Sequence, residues 1–538
     1  MGKRLVVVGG DAAGMSGAAQ ARRLDPDLDI VALERGTRTS YSACGIPYLV
    51  AGDVSDADAL VARTPEEFRR EHRIDARVRH EVTAIDLDAR TVEVRNLEHE
   101  RTFRLGFDHL LIGTGARPVR PDIPGIASDH VHGVQTLDDG TRLLDVARRS
   151  RCRDAVVVGA GYIGLEMAEA LHRWGARVAL VEAHDHPLAR TLDPDMGARL
   201  VDLIGAIGIE CRFGERVRAI EPDRVVTDAG PARADLVVIG LGVEPEATLA
   251  EAAGLDLSVR GSISVDRRQQ TSHEGVWAAG DCADTFHRVS QRRVHVALGT
   301  VANKTGRVAG VNIGGGHAGF PGVVGTAITK VCGTEVARTG LSTAEAERAG
   351  FAVATAVVET TTRAGYHPGA EPMVVKAIAE QPVINALFDD EAGVIHQHGG
   401  VHIGIATQTP SGLVVPVVQD VRHKSLPQLA QDSERLLKKA RSNKLLPDEF
   451  DGANIVLTGL GMYGIESFYA ISPPSSLGIV SIGIIEDAVV PTEDGPAIRK
   501  MMYVSLAFDQ CVADAFYAAK FLRYIVDALE NPRSLTRP

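Results

Sequence analysis

The chain has 538 residues, more than one compact core usually supports, so several domains are expected. Its 45% hydrophobic and 24% charged residues are an ordinary globular balance with ample apolar surface to bury. A net charge of −12 argues against nucleic acid or an anionic membrane as the main partner, because phosphate binding needs a clustered basic surface; Arg69-Arg70 and Arg148-Arg149 read as solvated helix faces.

The apolar run Leu5 to Val8 is too short for a signal peptide, and no stretch reaches the roughly 18 uninterrupted apolar residues of a membrane span. The six cysteines, Cys44, Cys152, Cys211, Cys282, Cys332 and Cys511, form no C-x-x-C pair. Neither a disulfide scaffold nor a metal site is expected, and the compartment is read as the reducing cytoplasm.

The chain opens on a device it uses twice. Residues 4–9 and 154–159 are short β-branched strands that run into glycines and then into amphipathic helices. Each helix leads to a second strand that ends in an acid, so two βαβ units and two Rossmann-like folds are predicted, one inserted in the other. The expected class is α/β. From about Phe320 the texture changes to a smaller α+β piece, with a strand at 325–331 and a helix at 342–349. A charged helix at 432–441, strands at 454–458 and 478–485, and a final helix at 513–529 follow.

In the first unit, Val6-Val7-Val8-Gly9-Gly10-Asp11-Ala12-Ala13-Gly14 joins a buried strand to a helix. Glycines let the backbone approach a pyrophosphate, and the helix start offers free N–H groups and a positive dipole end. Glu34, followed by Arg35, ends the next strand 20 residues after Gly14, where an acid takes hydrogen bonds from a ribose diol. The middle fingerprint position holds Asp11, whose carboxylate is expected to turn away from phosphate.

Two distant segments extend this pattern: Leu110-Leu111-Ile112-Gly113-Thr114-Gly115-Ala116, and Val276-Trp277-Ala278-Ala279-Gly280-Asp281. The trio, in this order, resembles the FAD-binding signatures of the pyridine-nucleotide disulfide oxidoreductases. The resemblance implies that Asp281 holds a ribityl hydroxyl of FAD and that the backbone of Val82 meets the adenine. The cofactor-binding positions carried over are Gly9, Gly10, Ala12, Ala13, Gly14, Glu34, Arg35, Val82, Thr114, Gly115, Gly280 and Asp281.

The second unit, Val156-Val157-Val158-Gly159-Ala160-Gly161-Tyr162-Ile163-Gly164-Leu165-Glu166, is a complete G-x-G-x-x-G between strand and helix. Gly159, Gly161, Ile163 and Gly164 are the expected nicotinamide-dinucleotide loop. Glu182 ends the following strand; an acid there favours the free 2′-hydroxyl of NADH, while nearby His184 keeps NADPH open. In the family resembled, the tyrosine at the position of Tyr162 covers the flavin face and swings aside for nicotinamide.

Ser40-Tyr41-Ser42-Ala43-Cys44-Gly45-Ile46-Pro47-Tyr48 resembles the S-x-x-x-C-G-x-P-Y motif of the coenzyme A-disulfide reductase and NADH oxidase branch. The resemblance makes Cys44 the redox sulfur, taking hydride equivalents from the nicotinamide by way of FAD. One cysteine stands where lipoamide and glutathione reductases carry two, so the sulfur must cycle through a mixed disulfide or a sulfenic acid. Peroxidase and oxidase members carry a histidine where this chain has Ala12. That favours reduction of coenzyme A disulfide, persulfide or polysulfide, with oxygen reduction as the alternative.

Residues 325–376, with Ala337-Arg338-Thr339-Gly340-Leu341 and Ala364-Gly365-Tyr366-His367-Pro368-Gly369-Ala370, resemble the start of the family's dimer domain. The resemblance places Tyr366 in the active site of a partner subunit and implies a homo-oligomer. After Lys376 the chain instead resembles the chloramphenicol acetyltransferase-like catalytic core of 2-oxo-acid dehydrogenase acyltransferases, through Pro382-Val383-Ile384-Asn385-Ala386, Val401-His402-Ile403-Gly404-Ile405-Ala406, Gly412-Leu413-Val414-Val415-Pro416-Val417 and Leu460-Gly461-Met462-Tyr463-Gly464. The first part of that core is not recognised. The family's D-H-R-x-x-D-G motif here reads Asp509-Gln510-Cys511-Val512-Ala513-Asp514-Ala515, and Gln510 cannot act as a base.

The domains expected are FAD binding over 1–118 and 246–319, NAD(P)H binding over 119–245, a partial dimer interface over 320–376 and an acyltransferase-like core over 377–538. The function expected is an FAD- and NAD(P)H-dependent reductase of a disulfide or persulfide, with a catalytically silent C-terminal scaffold. An acyltransferase activity or an assembly module are the rival readings.

Overall fold

A computed structural model describes residues 2–150, 152–351, 353–363, 368–380, 386–389, 394–397, 400–450, 452–471, 476–492, 495–509 and 515–530. The chain divides into two compact units, Met1–Ile378 and Ala379–Pro538. The sequence reading drew a boundary between residues 376 and 377.

The N-terminal unit holds two parallel five-stranded sheets. The first runs in the order Val276–Ala278, His109–Ile112, Arg4–Val8, Asp29–Leu33, Asp75–Arg77. The chain leaves it after Ile112 and builds the second sheet in the order Glu210–Phe213, Arg177–Glu182, Asp154–Val158, Leu236–Ile239, Val131–Gly133. It then returns to add Val276–Ala278 to the first sheet, so one sheet's sequence is inserted in the other's. The β-branched runs Val6 to Val8 and Val156 to Val158 are buried, as strands covered on both faces require. In each sheet the strand order reverses beside the strand that feeds the glycine loop, leaving a crevice at the carboxyl ends.

The helices Ala12–Leu24 and Gly299–Ile313 pack closely, because small residues face each other: a Cβ on Gly306 would lie 2.2 Å from the Ala13 carbonyl oxygen. Farther on, Ala327–Val331 and Thr334–Arg338 form an antiparallel hairpin. Its two turn residues, Cys332 and Gly333, both have positive φ (50° and 83°), which matches the twist of a tight hairpin. The helix Thr343–Ala349 follows, closed by a capping box between Ser342 and Glu345 and stopped by left-handed Gly350.

In the C-terminal unit a mixed sheet runs Val417–Val418, Ile403–Ile405, Ile455–Gly459, Gly478–Ile482, Val504–Phe508. Val417, Ala453, Val456 and Ile479 form its buried core. The helix expected at 432–441 spans Leu426–Arg441. It starts earlier because Ser425 and Gln428 make a capping box with Pro427 in the first turn. The last helix is Ala515–Glu530.

Candidate functional site

Gly9 has φ +105°, and a Cβ there would stand 2.1 Å from the Gly113 carbonyl oxygen. Only glycine lets the first loop lie against the end of His109–Ile112. Glu34 closes the loop from the next strand: its Oε2 accepts Gly10 N–H at 2.7 Å and its Oε1 accepts Gly36 N–H at 2.6 Å. Burial pushes this carboxyl up despite those bonds. The second loop repeats the construction. Gly159 has φ +101°, and Glu182 Oε2 accepts Ala160 N–H at 2.8 Å. Here Oε1 also accepts from His184, N–H at 3.0 Å and Nδ1 at 2.7 Å. Burial raises the Glu182 carboxyl too, but these hydrogen bonds outweigh it and hold the group below the usual range.

At the far side of the first crevice, Gly280 (φ +80°) turns the chain and presents Asp281. Burial pushes the Asp281 carboxyl up to about 6, and its Oδ1 is buried with no hydrogen-bond partner. An orphaned buried acceptor asks for a donor. The ribityl hydroxyls of FAD would supply one, and the first-turn N–H groups of the helix Ala12–Leu24, which have no partner within the helix, would meet its pyrophosphate, so the residues fit the group. The Asp281 carbonyl is itself fixed by His295, whose Nε2 lies 2.7 Å away.

Cys44 sits in a short helical turn, Ala43–Gly45, that leads into Ile46–Ala51. Its segment is tied to the first loop: Ser40 N–H donates to the Gly10 carbonyl at 2.9 Å, and Tyr41 N–H donates to Asp11 Oδ1 at 3.1 Å. Asp11 thus turns toward the cysteine segment. On the other side, Ile46–Ala51 packs against Tyr162–Arg173, the helix that starts at the second loop, and Arg173 grips Asp53 with both terminal nitrogens at 2.6 Å. Cys44 is exposed. Burial by its surroundings pushes its thiol up, and Glu166, Asp11 and Asp281 push the same way, while its own backbone N–H opposes them.

The segment of Cys44 is thus hydrogen-bonded to Gly10 and Asp11 of the first loop, and Tyr162 opens the helix that packs against Ile46–Ala51. Val82 is buried in the strand His80–Asp86, and Thr114 donates to the Glu246 carbonyl. Tyr366, Gln510, Cys511 and Asp514 lie outside the described residues. Two residues were missed by the sequence reading. Glu166 faces Cys44 and accepts Thr329 Oγ1 at 2.7 Å; its place four residues after Tyr162, on the same helix face, was the available signal. His295 belongs to no motif, and its place beside Asp281 is set by tertiary contact alone.

No described helix is long and apolar enough to cross a membrane, and no group of three or more His, Cys, Asp or Glu residues suited to a metal occurs among the described residues.

Residues 3–306 match the model of the pyridine nucleotide-disulphide oxidoreductases, and residues 356–537 match that of the 2-oxoacid dehydrogenases acyltransferase catalytic domain. The second likeness begins earlier than residue 377, inside the segment read as a partial dimer domain. The chain is 37% identical over 382 residues to the NAD(P)H sulfur oxidoreductase (CoA-dependent) of Pyrococcus abyssi, covering 70% of this chain and 84% of that one. It is 36% identical to the NAD(P)H coenzyme A polysulfide/persulfide reductase of Pyrococcus horikoshii, covering 71% and 85%. A solved NAD-dependent persulfide reductase from A. fulgidus superposes with a TM-score of 0.69 at 35% identity, covering 71% and 72%. With two glycine loops closed by acids and a match to the family model over more than half of its length, the chain belongs to the pyridine nucleotide-disulphide oxidoreductase family, whose members are FAD-dependent oxidoreductases that use NAD(P)H.

Proposed function

We propose that the N-terminal unit reduces the disulfide or persulfide of a small thiol of the coenzyme A type, with Cys44 as its redox sulfur. The observation that carries this reading is the placement of Cys44: its segment is hydrogen-bonded to the first glycine loop and followed by a helix packed on the helix of the second.

FAD is assigned to Gly9, Gly10, Ala12, Ala13, Gly14, Glu34, Arg35, Val82, Thr114, Gly115, Gly280 and Asp281, in a domain of 1–118 and 246–319. NAD(P)H is assigned to Gly159, Gly161, Ile163, Gly164 and Glu182, in a domain of 119–245, with Tyr162 between the two. Bound FAD supplies the two-electron connection between NAD(P)H and sulfur. The chain's own work is then to hold both dinucleotides by backbone N–H groups and to present one thiolate. That thiolate attacks a substrate sulfur; a new S–S bond to Cys44 forms, the substrate S–S bond breaks, and the departing thiolate takes a proton. Two electrons and a proton then release the second thiol and restore Cys44. Tyr366 is proposed to act in a partner subunit of a homo-oligomer, and the C-terminal unit to serve as a scaffold.

Cys44→Ser tests the reading. The variant should keep its bound flavin and its bleaching by NADH under anaerobic conditions, yet lose turnover of coenzyme A disulfide and persulfide. Near wild-type turnover would overturn the assignment.

A further inference from the structure

Asp11 occupies the middle position of the first glycine loop, where a carboxylate is unwelcome beside a pyrophosphate. It is the N-cap of the helix Ala12–Leu24, a position where aspartate usually caps, yet its side chain makes no capping bond. Instead Oδ1 accepts the N–H of Tyr41, three residues before Cys44, next to the backbone bond from Ser40 to Gly10. The tie is therefore made by two adjacent residues on each side.

We propose that Asp11 is a positioning residue for the redox sulfur: its carboxyl group holds the Cys44 segment on the glycine loop through Tyr41, and its charge, with those of Glu166 and Asp281, bears on the Cys44 sulfur. This rests on the reading of Cys44 as the redox sulfur.

The ionisable groups that face Asp11 come from three places: Glu34 at the end of Asp29–Leu33, Asp281 after Val276–Ala278, and Tyr41 and Cys44 on the tied segment. All four are acids, and the pyrophosphate of bound FAD would add further negative charge. Burial first, opposed by the Tyr41 bond and aided by Glu34 and Asp281, pushes Asp11 up to about 7. Near neutral pH the group therefore changes between a neutral acid and an anion. The neutral acid removes one of the charges that oppose a thiolate at Cys44, leaving Glu166 and Asp281, and the anion adds to them. Reactive thiolates usually lie in electropositive surroundings. Here no cation among the described residues faces Asp11, and the carboxyl group weakens its own repulsion only while it holds its proton. The position of Ala12, which carries no acid–base group, is thus flanked by one that does.

The test uses the FAD-loaded protein and needs no turnover, so it fails independently of the function proposed above. Iodoacetamide alkylation of Cys44, followed on the Cys44 peptide by mass spectrometry, reports the thiolate fraction against pH. Asp11→Asn keeps an acceptor for Tyr41 N–H and mimics the neutral acid. The two proteins should react alike below the Asp11 pKa and diverge above it, Asp11→Asn reacting faster by up to about tenfold for each pKa unit of coupling. The wild-type profile should also show a shallow interval near neutrality, where Asp11 ionisation offsets the gain in thiolate. Should Asp11→Asn fail to retain FAD, the wild-type profile decides alone. A uniform unit slope in the wild type, or coincident profiles for the two proteins at every pH, would overturn the proposal.

Discussion

Glu182 Oε1 accepts both the backbone N–H of His184, at 3.0 Å, and its ring Nδ1, at 2.7 Å. A carboxylate only accepts, so Nδ1 carries the proton and Nε2 is the free face of the ring in its neutral form. The equivalent acid of the first loop, Glu34, receives two backbone N–H groups and no side-chain donor.

This arrangement predicts a preference for NADH. Glu182 stays ionised at the edge of the second loop, where it opposes a 2′-phosphate and accepts from a ribose hydroxyl. We expect kcat/KM for NADH to exceed that for NADPH by about tenfold or more, equivalent to roughly 1.4 kcal/mol. Glu182→Ala should lower the NADH value and narrow the ratio. His184→Ala should widen it, because the imidazole is the nearest group able to meet a phosphate. Steady-state kinetics with both donors checks this, and a clear NADPH advantage in the wild type would refute it.

In the flavin-stripped protein, Asp11 and Asp281 should take stability away as pH rises. Asp11 is pushed up to about 7 and Asp281 to about 6, both mainly by burial. Between the ordinary aspartate pKa, about 3.9, and these values the folded state binds more protons than the unfolded chain, so stability falls as pH increases through that window. Carboxyls held below the usual range, such as Glu182 and Glu345, give the opposite slope at acidic pH, so the check is a difference. Scanning fluorimetry of the two apoproteins should show Asp11→Asn gaining Tm over the wild type as pH rises through about 7. A Tm difference that does not change with pH would contradict the burial of Asp11.

Two glycine substitutions separate backbone conformation from close approach. Gly9 and Gly242 both have positive φ, but a Cβ on Gly9 would meet the Gly113 carbonyl oxygen at 2.1 Å and one on Gly242 would meet nothing within 4 Å. Gly242→Ala should cost only the conformational strain, on the order of 1–2 kcal/mol. Gly9→Ala must also push two strand ends apart and should abolish flavin retention. Absorbance of the bound flavin and Tm, measured on both variants, check the contrast.

What was legible in the sequence was local. The glycine loops announce themselves because a turn against a neighbouring strand demands particular residues at fixed spacing, and Glu34 and Glu182 follow at the length of one helix and one strand. Asp11 was expected to turn from phosphate; its side chain meets Tyr41, 30 residues away, and no spacing pointed there. Glu166 with Thr329, 163 residues apart, is a pair made by tertiary packing that no window of sequence contains, and His295 meets Asp281 across 14 residues with no periodicity to mark it. The start of Leu426–Arg441 was readable: Ser425, Pro427 and Gln428 are ordinary start signals that the charge pattern at 432–441 overshadowed.

The C-terminal unit should not transfer acetyl groups between coenzyme A and dihydrolipoamide. A free thiol with a pKa of about 8.5 is mostly protonated near neutral pH, so the reaction needs a base beside it. Positioned general-base catalysis is typically worth about 10²–10⁴-fold. In the family the motif histidine supplies that term; this chain has Gln510, which keeps some hydrogen bonding and accepts no proton at any useful pH. The match to the acyltransferase model over 356–537 means that much of the fold's sequence is present, so the loss of the base and the state of the channel are separable. Gln510→His separates them. Acetyl transfer that appears on restoring histidine would show an intact channel lacking only its base. Continued silence would place the defect in the channel itself. Robust transfer by the unmodified chain would overturn the scaffold reading and give the protein a second activity beside that of Cys44.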